Sequence, residues 1–253
     1  MSEPAPRSRR KRMTGTERRQ QLLDIGRTLF AERGLDGTSV EMIAEKAGVS
    51  KPVVYEHFGG KEGLYAVVVD REMGRLISTV TRALTDGVHY REKLEKAALG
   101  LLEYIEEHSD GFRILVRDSH GASGTGSYAS LLSEIASEVE DILGREFDRH
   151  GYDDKTAPMY AQMLVGMVAL TGQWWLDARK PRREEVAAHM VNLAWNGLSG
   201  LEPKPSLDPR QRRKEKERLK KAEERAASRA EKADRRDRRQ DPAPDLGEPV
   251  PDL

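Results

Sequence analysis

The residues best suited to recognise a partner fall in one short run, Ser50-Lys51-Pro52-Val53-Val54-Tyr55-Glu56-His57-Phe58. Lys51 can donate to O6 or N7 of guanine, and Pro52 and Val53 can touch a thymine methyl group. On a helical wheel, Lys51, Pro52, Tyr55 and Glu56 share one side while Val54 and Phe58 share the other. A short helix divided in this way suits the major groove of duplex DNA. No catalytic constellation competes with it. The six histidines, His57, His89, His108, His120, His150 and His189, show neither an HExxH pattern nor paired metal spacing. Glu106-Glu107-His108 reads as a solvated cluster at a helix end. The glycines of residues 119–127 suggest a phosphate cradle, but no strand precedes them and no Gly-Lys-Ser/Thr follows, so the run reads as a flexible loop. There is no Gly-x-Ser-x-Gly elbow and no kinase motif set. The expectation is a binding protein, not an enzyme, with no metal and no cofactor.

The elements that position the run are legible on either side of it. Thr38 followed by Glu41 fits a capping box, and Val40, Ile43, Ala44 and Ala47 share one helical face. Gly48 can take positive φ and end that helix. Ser50 is a good N-cap, Pro52 sits in the first turn, and Val49 with Val54 makes a hydrophobic staple. Two helices joined by so tight a turn predict a helix-turn-helix. A preceding helix starts after Thr14, whose capping box is completed by Glu17; Leu22, Leu23, Ile25, Gly26, Leu29 and Phe30 form its buried stripe.

The charges are unevenly placed. The formal net charge is zero. Residues 1–12 carry a net +4 and residues 204–240 a net +8, against −8 for residues 13–203 and −4 for residues 241–253. An acidic body with basic ends suggests a polyanion partner. The basic arm, residues 1–12, is expected to be disordered. The charged tail, residues 203–253, is expected to be a solvated helix or disordered. There is no cysteine, which excludes disulfides and thiolate metal sites and fits a reducing cytosol. No apolar run reaches the length of a membrane span. A cytoplasmic protein without a membrane partner is expected.

The pattern Ser39-Val40…Ile43-Ala44…Ala47-Gly48-Val49-Ser50…Val54-Tyr55…His57-Phe58…Lys61-Glu62…Leu64 resembles the DNA-binding signature of the TetR family of bacterial transcriptional regulators. The resemblance implies an all-α fold: a three-helix DNA-binding domain over residues 13–60 and a helical ligand-binding and dimerisation domain over residues 61–202. It implies phosphate contacts from Thr38, Tyr55, His57 and Lys61, with Ser39 and Ser50 completing the DNA-facing set. It implies a homodimeric repressor that leaves a palindromic operator when a small hydrophobic or amphipathic effector binds. Gly111-Phe112-Arg113, Trp175-Leu176-Asp177-Ala178 with Lys180-Pro181, and Ala194-Trp195-Asn196-Gly197-Leu198 resemble actinobacterial members that control fatty-acid metabolism and answer to long-chain acyl-CoA.

A fourth helix, from about Lys61 into the low 80s, is long enough to belong to both domains. Residues 85–92 break the pattern before a fifth helix. Gly111 to Arg117 suggests one or two further helical turns, and a seventh helix spans about Tyr128 to His150. By resemblance the effector pocket takes Met73 from the fourth helix, Leu101 and Ile105 from the fifth, and Phe112 and Leu115 from the short run. Leu132 and Ile135 join from the seventh helix, and Leu164, Val168 and Trp174 from residues 156–178. That last helix is apolar on most sides, as is its neighbour near Arg182 to Leu198. A second copy of the chain covers both economically, although a buried central hairpin would also do so. The expected dimer interface comprises Tyr160, Met163, Met167 and Leu170, then Val186, Met190, Leu193 and Trp195. Two rivals remain: a helical acyl-thioester-binding protein or enzyme with a vestigial DNA-binding domain, and a nucleic-acid scaffold acting through the basic tail.

Overall fold

The computed structural model describes residues 13–86, 89–118, 128–214, 217–218, 220–222, 224–225 and 228. The basic arm, the glycine-rich run 119–127 and the acidic end of the tail therefore lie outside the described residues. The fold is all-α. Among the described residues the helices are α1 (Gly15–Arg33), α2 (Val40–Ala47), α3 (Lys51–Phe58), α4 (Lys61–Asp86), α5 (Tyr90–Glu107), α6 (Ser109–Asp118), α7 (Tyr128–His150), α8 (Ala157–Ala178) and α9 (Arg183–Ser199). Those up to Gly200 belong to one compact unit and residues from Leu201 to another.

Local chemistry sets the helix ends. The Thr14 hydroxyl accepts the Glu17 N–H at 3.2 Å, and the Glu17 carboxylate accepts the Thr14 N–H at 2.7 Å, closing a capping box on α1. Gly48 has φ 64 and ψ 37. The Val49 N–H then reaches the Ala44 carbonyl at 3.0 Å and the Gly48 N–H reaches the Glu45 carbonyl at 3.1 Å. This paired closure turns the chain sharply into α3 and needs a residue without a Cβ penalty.

Two caps differ from expectation. Ser39, not Thr38, caps α2, with its hydroxyl accepting the Met42 N–H at 3.2 Å. Ser50 occupies the N-cap position of α3 without a side-chain cap hydrogen bond; its carbonyl accepts the Val53 N–H at 3.1 Å instead. Three boundaries also move. Thr85 and Asp86 continue α4, α5 begins at Tyr90, and the run around Phe112 extends to the ten residues of α6 because Ser109, Asp110 and Asp118 join it.

The small N-terminal core is built from Leu22, Leu29, Phe30, Ile43, Val54 and Leu64, all buried. The Phe30 ring meets Tyr65 edge-on at 4.9 Å. That core alone is too small to be secure. α4 resolves this by packing on α1 and α3 near its start and on α5, α6 and α7 farther along. In the second unit, residues 209–214 are helical and exposed, as are the described positions onward to 228. Residues 203–208 are not helical, and the described positions from Pro209 onward form an exposed helix. It buries no face because it has none to bury.

Candidate nucleic-acid interface and apolar cavity

α3 is held from behind and bare in front. Val54 is fully buried, and Val53, His57 and Phe58 are half-buried. Arg19 of α1 donates to the His57 carbonyl at 2.9 Å, and its guanidinium lies 4.3 Å from the centre of the Phe58 ring. Gln21 donates to the Ala47 carbonyl at 3.3 Å, tying α1 to the end of α2. Arg19 and Gln21 are polar and lie outside the apolar stripe of α1, so hydrophobic periodicity carries no signal for them. Ser50, Lys51, Pro52, Tyr55 and Glu56 face solvent. Tyr55 is 54% exposed, which removes core packing as its role.

Three side chains need correction or detail. Thr38 is 1% exposed, and its hydroxyl donates inward to the Gly34 carbonyl at 2.8 Å. It joins α1 to α2 and presents no surface to a phosphate. Lys61 donates from Nζ to the Leu35 carbonyl at 3.0 Å; an ammonium has three donors, so two remain. Lys51 is ion-paired with Glu41 of α2 across the exposed face. The Lys51 hydrogen bond holds the Glu41 carboxyl below the usual carboxylate range. A DNA ligand must take Lys51 from this partner, a small cost for so exposed a pair.

Beyond the recognition unit, α4, α5, α7, α8 and α9 enclose a cavity of about 140 Å³ whose walls are almost wholly apolar. Leu101, Leu132, Ile135, Leu164 and Val168 line it. Met73, Ile105, Phe112, Leu115 and Trp174 do not. Ile105, Phe112 and Leu115 are sealed in the core, Met73 packs partly buried against it, and Trp174 faces outward. All sit on apolar stripes, so periodicity could not separate cavity wall from filled core. Leu76, Val80, Tyr90 and Lys93 are wall residues that the sequence did not single out.

The outer face of α8 shows Met159, Met163, Leu170 and Trp174 exposed along one side, and α9 adds Leu193. Met167 and Tyr160 are half-buried there, Tyr160 with its ring edge-on to Phe147 at 5.4 Å. Val186 and Met190 turn inward and are buried within the protomer. Trp195 borders the cavity, with the Arg91 guanidinium 5.9 Å from its ring. These three do not belong to the exposed stripe.

Between the recognition unit and the cavity lies a buried carboxylate. Glu72 of α4 is 2% exposed. It accepts from Arg75 at 2.8 Å and from the Tyr104 hydroxyl at 3.0 Å, with Arg27 of α1 at 3.7 Å. Burial, then the neighbouring Glu72 charge, pushes the Tyr104 phenol far above its ordinary range. Gly111 of α6 passes so close that a Cβ there would overlap the carboxylate. Arg117 of the same helix donates to the Phe30 carbonyl at 3.3 Å. The signal for Glu72 was present: it follows Leu64 and Val68 and precedes Leu76 and Val80 at intervals of four, a charge on a buried stripe.

Among the described residues no helix is long and apolar enough to cross a membrane. Residues 22–68 match the model of bacterial regulatory proteins, tetR family. Residues 79–208 match the model of tetracyclin repressor-like C-terminal domains. The HTH-type transcriptional activator FasR of Mycolicibacterium smegmatis is 32% identical over 200 residues, covering 78% of this chain and 90% of FasR. The HTH-type transcriptional repressor KstR2 of Rhodococcus jostii is 36% identical over 125 residues, 49% of this chain and 61% of its own. A crystal structure of a TetR-like transcriptional regulator from Rhodococcus sp. RHA1 superposes with a TM-score of 0.60 at 25% identity, covering 75% of this chain and all of that one.

Proposed function

The chain belongs to the TetR family of DNA-binding transcription regulators, and from that premise we propose that it is a ligand-controlled homodimer that binds a palindromic operator. The observation that carries this reading is α3 itself: a helix clamped by Arg19 and Val54, with Lys51, Pro52 and Tyr55 exposed on its outer side. The exposed apolar stripe of α8 and α9 supports a two-fold pairing through those helices. Two copies would then set their α3 helices about 34–36 Å apart, in successive major grooves. The apolar cavity supports a hydrophobic or amphipathic effector, with long-chain acyl-CoA as the candidate class. An effector that prefers the form unable to span the operator releases it. Repression is the proposed sign. FasR is named an activator and KstR2 a repressor, so both signs occur among the relatives.

Selection of bound sequences from random DNA tests the proposal. The expected product is an inverted repeat. A non-repeating consensus, or none, overturns it. The same assay separates two lysines. Lys51→Ala relaxes base preference at one or two positions of each half-site. Lys61→Ala keeps the consensus, weakens all sequences alike and flattens the salt dependence by about one unit. An unchanged consensus removes Lys51 as a base reader, and an unchanged slope removes Lys61 as a phosphate contact.

A further inference from the structure

The cavity has a direction, set by four contacts at its ends. The Tyr104 hydroxyl at the end of α5 reaches Glu72 in the first half of α4, while Lys96 near the start of α5 donates to the Asp86 carbonyl at the end of α4. α5 therefore runs back along α4. α7 runs with α4: Tyr128 at its start meets Phe112 edge-on with ring centres 6.1 Å apart, and Arg149 near its end donates to the Tyr90 hydroxyl at 2.9 Å. The walls thus pass from Leu76, Leu101 and Leu131 near the recognition unit to Leu84, Tyr90 and Lys93 at the far end. Leu76 to Leu84 spans about 12 Å of helix rise, so the lining of this channel extends lengthwise along α4.

Among the described residues, Lys93 is the sole cation on that wall. Its neighbours on α5 are neutralised locally, Arg91 by Glu95 at 3.0 Å and Lys96 by Glu92 at 2.9 Å. Lys93 is half-buried and forms no ion pair among the described residues. The Tyr90 oxygen accepts from Arg149, which leaves its own O–H to donate elsewhere. Tyr90 and Lys93 stand three residues apart on α5, on one face of that helix and at one end of an otherwise apolar channel, where a phenol O–H and an ammonium can serve one head group.

We propose that Lys93, with the Tyr90 hydroxyl, binds the anionic head of a linear amphiphile whose chain lies in the channel with its tail toward α1. This deepens the proposed effector reading and rests on the cavity being the effector site. A carboxylate and a phosphate offer the same chemistry to the two donors. The test is calorimetric titration of the full-length protein with decanol, decanoate and decyl phosphate. Decanol reports the channel alone. Decanoate, decyl phosphate or both should bind at least about tenfold tighter than decanol, the contribution of one charge-assisted contact. Which of the two gains more identifies the head. In Lys93→Met the preference for the anion disappears while decanol binding stays, which also shows that the variant is folded. Lys93→Arg retains the preference. Equal binding of anion and alcohol to the natural protein, or a preference that survives in Lys93→Met, overturns the head-group site and leaves the cavity reading standing. Absence of binding by all three overturns both.

Discussion

Replacing Leu170 or Leu193 with Glu yields a folded monomer that no longer holds its operator. Each side chain is 66% exposed in the protomer, so neither supports the fold of a single chain. In a two-fold interface each substitution occurs twice, facing the same apolar stripe of Met159, Met163 and Trp174. A carboxylate closed into that interface loses its hydration and meets no cation, at a cost of several kcal/mol per copy. Dimerisation should weaken by about a thousandfold or more. Operator affinity should fall by roughly a hundred- to ten-thousandfold, because the second half-site is no longer held at high effective concentration. Sedimentation equilibrium and operator titration measure the two effects. Val186→Glu and Met190→Glu are the contrast: both residues are buried within the protomer, so these changes should unfold the chain instead of separating two folded copies. A Leu170→Glu protein that remains dimeric places the interface elsewhere.

The sequence was most legible where a local rule has one solution. The Thr14–Glu17 capping box and the Gly48 turn are short-range chemistry, and the structure forms both. Thr38 and Ser39 show the limit of such rules. Both are good caps and adjacent, and the choice fell to Ser39 because the Gly34 carbonyl at the end of α1 claims the Thr38 hydroxyl. That partner lies four residues back, beyond what a capping motif registers. Long-range pairing was illegible for the same reason. Lys51 and Glu41 lie on different helices, and Arg19 finds the His57 carbonyl across the domain. The cavity was hardest. Ile105 and Leu101 share a helix face and a chemistry, yet only Leu101 borders open space. Which apolar residues surround a void depends on how five helices meet, and no single helix records that.

Glu72→Ala should lower stability by about 3–5 kcal/mol, the range for removing one partner from a buried charge network. The loss arises from what remains. Arg27, whose Nε is already buried without a hydrogen-bond partner among the described residues, loses its carboxylate, and the Tyr104 hydroxyl loses its acceptor. Arg75 is more exposed and can turn to solvent, so it adds less. Thermal unfolding should shift by roughly 10 °C for a domain of this size. Glu72→Gln keeps the shape but not the charge, and should fall between the two. Tyr104→Phe alone removes one hydrogen bond, worth about 1 kcal/mol, and should cost almost nothing further in the Glu72→Ala background. The effect should also reach DNA. Glu72 ties α4 to Arg27 of α1, and α1 in turn clamps α3 through Arg19. Loosening the first contact lets the recognition helix move against α4, so operator affinity should drop at temperatures where the variant is still folded. If Glu72→Ala unfolds within about 1 kcal/mol of the natural protein, or if its cost and that of Tyr104→Phe simply add, the carboxylate does not join the two halves of the molecule.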